Sequence, residues 1–299
     1  MKSIKYIIFL SLLSVIACDR SLEFSTPDWD VSVEKNTYSV GDTVTFTFSG
    51  SADYVTFYAG DEGHNYIYRE RTKVENVIPT MEFTSYRQWG NQVNTLSLLI
   101  STDYNGIADE ENIYKASWKD ITTLATLSTG SDNTPSGLID LLEFKDEKIL
   151  YIAFKFEGWQ SSSSAQRTWT IKNFQIKSLT PDGSSIAVIP SIGTAGWIAV
   201  DLKNNAKRWT ITNTQIQIAG GGTNEPDNED WIITRGINLS QVSPDRGTPI
   251  IDIIRSKKSH EFIYTKPGTY KVVFEAINGN VKGQLKTVKE LEVIVKEPI

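Results

Sequence analysis

The chain has 299 residues, 39% hydrophobic and 22% charged, with 36 acidic against 30 basic residues and a formal net charge of −6. Charges of both signs are scattered and no Lys/Arg-rich run occurs, which argues against a nucleic-acid surface. Cys18 is the single cysteine and His64 and His260 are the two histidines; disulfide scaffolds, His-rich zinc sites and Ser-His or Cys-His hydrolase machinery are therefore disfavoured.

Residues 1–17 read as a secretory signal, with Lys2 and Lys5 at the positive end and the apolar run Tyr6 to Ile16 too short to span a bilayer. The run ends in Ser14-Val15-Ile16-Ala17-Cys18, which resembles a bacterial lipobox, where cleavage precedes the cysteine and the sulfur is lipidated. This reading makes Cys18 the lipid anchor and residues 18–27 an anchor and linker. It places the protein on the outer membrane, at the cell surface, and accounts for a thiol that would otherwise be unpaired in an exported chain. No second apolar stretch approaches the length of a membrane span.

Beyond the linker, the two-residue alternation of half-buried strands dominates, as in Thr43-Val44-Thr45-Phe46-Thr47-Phe48, Leu150 to Phe156 and Tyr270 to Phe274. Helical spacing is confined to Ala116-Ser117-Trp118-Lys119-Asp120-Ile121, read as a turn or a single helical turn. The fold class is all-β, with turn-forming clusters between strands that suggest sandwiches or jelly rolls. Near the start, Tyr38 to Phe46 followed by Tyr58-Ala59-Gly60-Asp61-Glu62-Gly63 resembles the opening strands of a PKD-type immunoglobulin-like domain. Near the end, Phe262 to Val272 followed by Ala276-Ile277-Asn278-Gly279 resembles its closing strands. Ala59 and Glu62 depart from the aromatic and the second turn residue usual in that motif. The two halves lie about 200 residues apart, far beyond an ordinary loop. The resemblance thus implies a split Ig-like sandwich over 28–75 plus 257–299, with a second β domain inserted at 76–256.

Within the insertion, Leu96 to Gly106, Trp118, Gly137 to Leu141, Tyr151 to Phe156 and Trp169 to Ile176 resemble, in order, the jelly-roll choice-of-anchor or cleaved-adhesin family, related to galactose-binding-like folds. Asn228-Glu229-Asp230-Trp231-Ile232-Ile233-Thr234 is similar to an element that precedes those blocks in the family and follows them here, which implies a permuted jelly roll. The whole arrangement resembles surface lipoproteins of starch-utilisation-type (Sus-like) glycan-uptake loci. The resemblance implies a non-enzymatic protein that captures a glycan or oligosaccharide beside an outer-membrane transporter complex. The alternative is a protein- or peptide-interaction lipoprotein that docks on such a transporter.

Carbohydrate rings present flat C–H faces, for which a loop tryptophan is a rigid apolar platform. Trp159, followed by Gln160 and the run Ser161 to Ser164, is the first candidate for glycan binding, with Trp89 and Trp197 behind it. Trp169 and Trp231 lie in strand patterns and are expected in the core. Asp103, Asn105, Asp109 and Glu110 offer the oxygen ligands of a structural calcium ion, although such a loop also reads simply as solvated. No other cofactor is expected. Asp227, Glu229 and Asp230 are a second, weaker group of that kind. No acidic residue reads as buried, so nothing marks a general acid for glycoside hydrolysis. His64 reads as an exposed turn residue, and Gly220-Gly221-Gly222 as a hairpin loop without the context of a phosphate cradle.

Overall fold

The computed structural model describes residues 25–298; the signal region and the proposed anchor Cys18 lie outside the described residues. The chain forms two compact units, one made of residues up to Arg71 and from Pro244 onward, the other of Thr72–Ser243. Strands are the main regular structure of both. Among the described residues no helix is long and apolar enough to cross a membrane.

The first unit begins with β1 (Asp28–Val33), β2 (Thr37–Ser39), β3 (Thr43–Ser51) and β4 (Tyr54–Tyr58). In β1 and β3 the alternation is plain: Trp29, Val31, Val44 and Phe46 are buried while Asp28, Asp30, Thr43 and Thr45 are exposed. Gly60, just after β4, has φ +78°, and a Cβ there would lie 2.5 Å from the Lys271 carbonyl oxygen, so only glycine fits this turn.

The chain then builds the second unit from β5 (Ile78–Gln88), β6 (Leu96–Ser101), α1 (Glu110–Lys115), β7 (Lys119–Asp120), β8 (Thr134–Pro135), β9 (Ile139–Asp140), β10 (Tyr151–Gly158), β11 (Thr168–Leu179), β12 (Ser185–Ile189), β13 (Ile198–Lys203), β14 (Trp209–Ile211), β15 (Gln215–Ile218) and β16 (Asn228–Ile233). These make one sheet ordered β13-β16-β10-β6-β7 and another ordered β14-β15-β11-β5-β8, with β12 beside β11 and β9 beside β5. Apolar side chains of both sheets share one core, including Phe83, Leu98, Phe154, Phe174 and Ile232. A second cluster of Leu99, Tyr104, Ile113, Tyr151, Trp231 and Ile233 covers the other face of β6, β10 and β16. With both faces covered, β16 is buried at every position, which is why it carries no alternation.

The helix does not lie where the spacing of Ala116–Ile121 suggested. It starts at Glu110 because the Asp109 side chain accepts the Asn112 amide at 2.8 Å as an N-cap, and Glu110 and Glu111 occupy the first turn, where the helix dipole favours negative charge. Ala116 is the C-cap, and Lys119 and Asp120 are already strand.

The return to the first unit supplies β17 (Thr248–Ile251), β18 (Ser259–Ile263), β19 (Gly268–Asn280) and β20 (Gly283–Lys296). They complete a sheet β1-β3-β18 and a sheet β17-β4-β19-β20-β2, in which β2 and β20 run parallel. Phe274 of β19 sits 5.7, 5.2 and 5.1 Å from the rings of Trp29, Phe46 and Phe57. The unit thus resumes at Pro244 rather than 257, because the short, Pro-containing β17 pairs with β4 and buries Ile250 and Ile251. It is left after Arg71 rather than 75, because Thr72 and Val74 exchange backbone hydrogen bonds with Val242 and Ser240 of the second unit.

Candidate functional site: a braced loop cluster with an exposed tryptophan

Strand register puts three loops at one end of the second unit. Gln88 pairs with Thr168, Leu96 with Phe156, Gly158 with Asn228 and Trp169 with Ile218. The segments 89–95, 159–167 and 219–227 therefore leave the sheets side by side. Gly220-Gly221-Gly222 lies in the last of these, which carries the chain from one sheet to the other rather than closing a hairpin.

Two buried glutamines tie the loops together, each 2% exposed. Gln92 donates through Nε2 to the carbonyls of Trp159 at 2.6 Å and Ser164 at 3.1 Å, and its Oε1 accepts the Trp159 amide at 3.1 Å. Gln166 donates to the Pro226 carbonyl at 2.8 Å and accepts the Gly221 amide at 3.3 Å. The Asn224 amide donates to the Ser161 carbonyl, and the Gln160 amide to Asp227 Oδ1, both at 2.7 Å. Every bond has a backbone group at one end at least, so the loops are tied to one another through their main chains. Nothing in the sequence marks these glutamines; their polar side chains in polar loops read as solvent-facing.

Trp89 stands on this cluster. It is 77% exposed, and its φ of +48° is a left-handed backbone conformation that a bulky residue rarely adopts and that costs roughly 1–3 kcal/mol. The Arg167 guanidinium holds that conformation in place: Nη1 donates to the Trp89 carbonyl at 2.9 Å and to the Gly90 carbonyl, and Nε donates to the Gln92 carbonyl at 2.8 Å. Gly90, at φ +60°, passes so close to Gln166 that a Cβ would lie 2.2 Å from its carbonyl oxygen. Trp159, on the loop that Gln92 braces, is 42% exposed. Arg87, Asn94, Thr95, Asp120, Ser128 and Trp169 line a cleft of about 350 Å³ that shares Asn94 and Thr95 with the first loop but does not include Trp89. At its wall the Trp169 indole donates to Thr95 Oγ1 at 2.8 Å.

Trp197 does not join them. It is 9% exposed and packs against Phe154 and Phe174, at 5.9 and 5.0 Å between ring centroids. The glycine-containing run before it is a tight 3-10 turn over Ile192–Thr194 that turns the chain into β13 and points the indole inward. Trp169 and Trp231 are buried, as their strand positions require. His64 is half exposed in its turn, with Nδ1 2.9 Å from Asp61.

Asp103, Asn105, Asp109 and Glu110 are not gathered into a ligand set. Asp103 Oδ1 accepts from the Ser101 hydroxyl and the Ser117 amide, both at 2.8 Å, and these bonds hold its pKa below the usual value. Asn105 donates to Asn112 at 2.6 Å, Asp109 caps α1, and Glu110 points from its first turn. Among the described residues no group of three or more His, Cys, Asp or Glu side chains is placed to hold a metal ion.

Buried acids do exist, contrary to the expectation from sequence: Glu229, Asp230 and Asp245. Burial alone would raise Glu229, but hydrogen bonds from Trp231 and Tyr114 and the nearby Lys155 outweigh it and lower its pKa. Asp230 is the opposite case. Burial pushes its carboxyl up to about 7, Asn228 offsets this only in part, and the facing Asp201 adds like-charge repulsion. Asp230 is 0% exposed, so a substrate cannot reach it as the architecture stands.

Among known families, the model described as a domain of unknown function, DUF5017, matches residues 17–197. The chain belongs to this family. The DUF5017 match starts one residue before Cys18 and crosses the junction at Arg71 and Thr72, so it takes in parts of both units. Trp89, Gln92, Trp159 and Arg167 fall inside it; the loop 219–227 and Asp230 fall outside. No curated protein matches the chain.

Proposed function

We propose that this DUF5017 protein is a non-catalytic surface lipoprotein of the outer membrane, anchored through Cys18, that captures glycan for an associated uptake system. The observation that carries the reading is Trp89: a large apolar ring is exposed, in a strained backbone conformation, on loops that are themselves locked by buried hydrogen bonds. Strain of this kind persists where the surrounding structure over-determines it, and it concentrates at ligand sites. A flat ring fixed in advance takes a sugar face with little further loss of entropy. The cleft that shares Asn94 and Thr95 with the same loop adds Arg87 and Asp120, side chains suited to hydroxyl groups. At the finer level of fold, the two facing sheets of each unit support a split Ig-like sandwich of PKD type and an inserted jelly roll.

Affinity electrophoresis and calorimetry against a panel of polysaccharides test the proposal. Trp89→Ala is expected to weaken binding at least about tenfold, equivalent to about 1.4 kcal/mol, with Trp159→Ala weaker in effect and the far-UV spectrum unchanged in both. Binding to no polysaccharide, or full binding by Trp89→Ala, refutes it; release of sugar products refutes the non-catalytic part. Co-purification with an outer-membrane transporter in the absence of glycan supports the alternative, a docking lipoprotein. Palmitate labelling that survives Cys18→Ala removes the anchor from the proposal.

A further inference from the structure

Below the loop cluster, three oxygen-bearing side chains meet at the ends of β13 and β16. Asp201 and Asp230 are direct cross-strand partners, so their side chains lie on one face of the sheet, and Asn228, two residues before Asp230, shares that face. Asp230 is 0% and Asn228 2% exposed. Both carboxylate oxygens of Asp230, Oδ1 of Asp201 and Oδ1 of Asn228 are buried without a hydrogen-bond partner.

Four unpartnered buried oxygens in one place are an unusual liability in a protein interior, where such groups are nearly always satisfied. Their neighbours cover the deficit only in part, since the Asn228 side chain and Arg208 favour the charged form of Asp230 less than burial and the facing Asp201 oppose it. The Asn228 amide nitrogen is committed to the Lys207 carbonyl at 3.1 Å, and the Trp209 indole donates to the backbone oxygen of Asp230, not to its carboxylate. Arg208 stands 3.6 Å from the other oxygen of Asp201 and its side chain is 61% exposed, so solvent screens its charge. Nearby Glu229 shows the contrast, since its carboxylate is met by two hydrogen bonds and two lysines.

We infer that Asp230, Asp201 and Asn228 form a binding site for a hard divalent cation, calcium by preference, that fastens β13 to β16 beneath the loop cluster. Asp230 supplies two oxygens and Asp201 and Asn228 one each. Calcium takes six to eight oxygens and completes its shell with water, which has access because the Asp201 side chain is 22% exposed. Magnesium, which demands a regular octahedron and gives up water reluctantly, fits such a bidentate carboxylate less well. The cation supplies the positive charge that two facing carboxylates lack. Of the acidic group read from the sequence, Asp227, Glu229 and Asp230, only Asp230 belongs to this set, whose other members Asp201 and Asn228 are brought to it by strand pairing and position; the site stands whether or not the loops above take a glycan.

The full-length chain, stripped with EDTA, is titrated with calcium, magnesium or sodium chloride and followed by thermal unfolding; terbium luminescence, sensitised by the adjacent Trp209, reports binding directly. Calcium at a hundredfold excess over its Kd is expected to raise Tm by about 5–10 °C, and terbium to emit and be displaced by calcium. Asp230→Asn and the less buried Asp201→Asn are each expected to abolish both signals. A Tm indifferent to calcium with no terbium emission, or signals that survive both substitutions, overturns the site. So does stability that falls with rising pH identically with and without calcium, the mark of a carboxyl pair sharing a proton.

Discussion

His260 shows how one side chain couples its unit to pH. On β18 it faces Phe46 across the strand pair and meets Phe57 edge-on at 4.6 Å between ring centroids, with Nε2 buried and unpartnered. Burial lowers its pKa from the ordinary 6.5, Lys257 lowers it further, and Glu261 opposes them. A base with a depressed folded pKa leaves the unfolded chain to take up the proton first. Its contribution is therefore complete above pH 6.5 and is lost as the pH falls through the folded value. Urea unfolding of the first unit is expected to show a lower midpoint at pH 5 than at pH 7.5, and His260→Phe, which keeps the ring, to remove most of that difference; an equal drop in the variant excludes His260 as the source. The sequence marks this residue only as one of two histidines. Its environment comes from β4, some 200 residues earlier.

At the scale of elements, the loops are the clearest case of structure that hydrophobic periodicity does not reach. Gln92 satisfies both backbone groups of Trp159 and one carbonyl of Ser164. Gln92→Leu leaves these groups buried and unpaired, which is expected to cost about 1–3 kcal/mol. Amide exchange at Trp159 and across 159–164 is expected to quicken, while β10 and β11 stay protected; unchanged exchange in that loop shows that the brace is not needed. Alternation was a true guide where one face is solvated, as in β3; β10 and β19, read by the same pattern, are strands but are buried at successive positions, Tyr151 to Phe154 and Val272 to Phe274. Two kinds of element were not legible. The helix was expected six residues late, because the signal that starts it is the Asp109 cap and its two following glutamates rather than an apolar stripe. The short β17 carries a proline and only two core residues, too little pattern to separate it from a loop.

For the molecule as a whole, each unit closes on itself. In the second unit Lys73 and Gln241 form a bridge next to the chain ends, joined by hydrogen bonds of Val74 to Ser240 and of Val242 to Thr72. In the first, the Asp245 amide bonds to the Tyr68 carbonyl and the Arg71 guanidinium lies 3.6 Å from Asp245. Residues 72–243 expressed alone are expected to unfold cooperatively with near-native circular dichroism. The segment before Arg71 alone is expected to stay unfolded, because residues after Pro244, Val272, Phe274 and Val293 among them, supply half of the buried core; a structured 25–71 fragment contradicts this account. By itself, the sequence determined the all-β build and the place of Trp169 and Trp231 within strands, since both follow from local alternation along the chain; that one β unit interrupts another was implied by the resemblance of the two chain ends, not by periodicity. Tertiary structure alone decided that Trp197 is core while Trp89, offered beside it from the sequence, is surface, that two glutamines are braces, and that Asp201 faces Asp230. Those outcomes depend on which distant strands become neighbours, and the long-range pairing of polar groups leaves no period in the sequence.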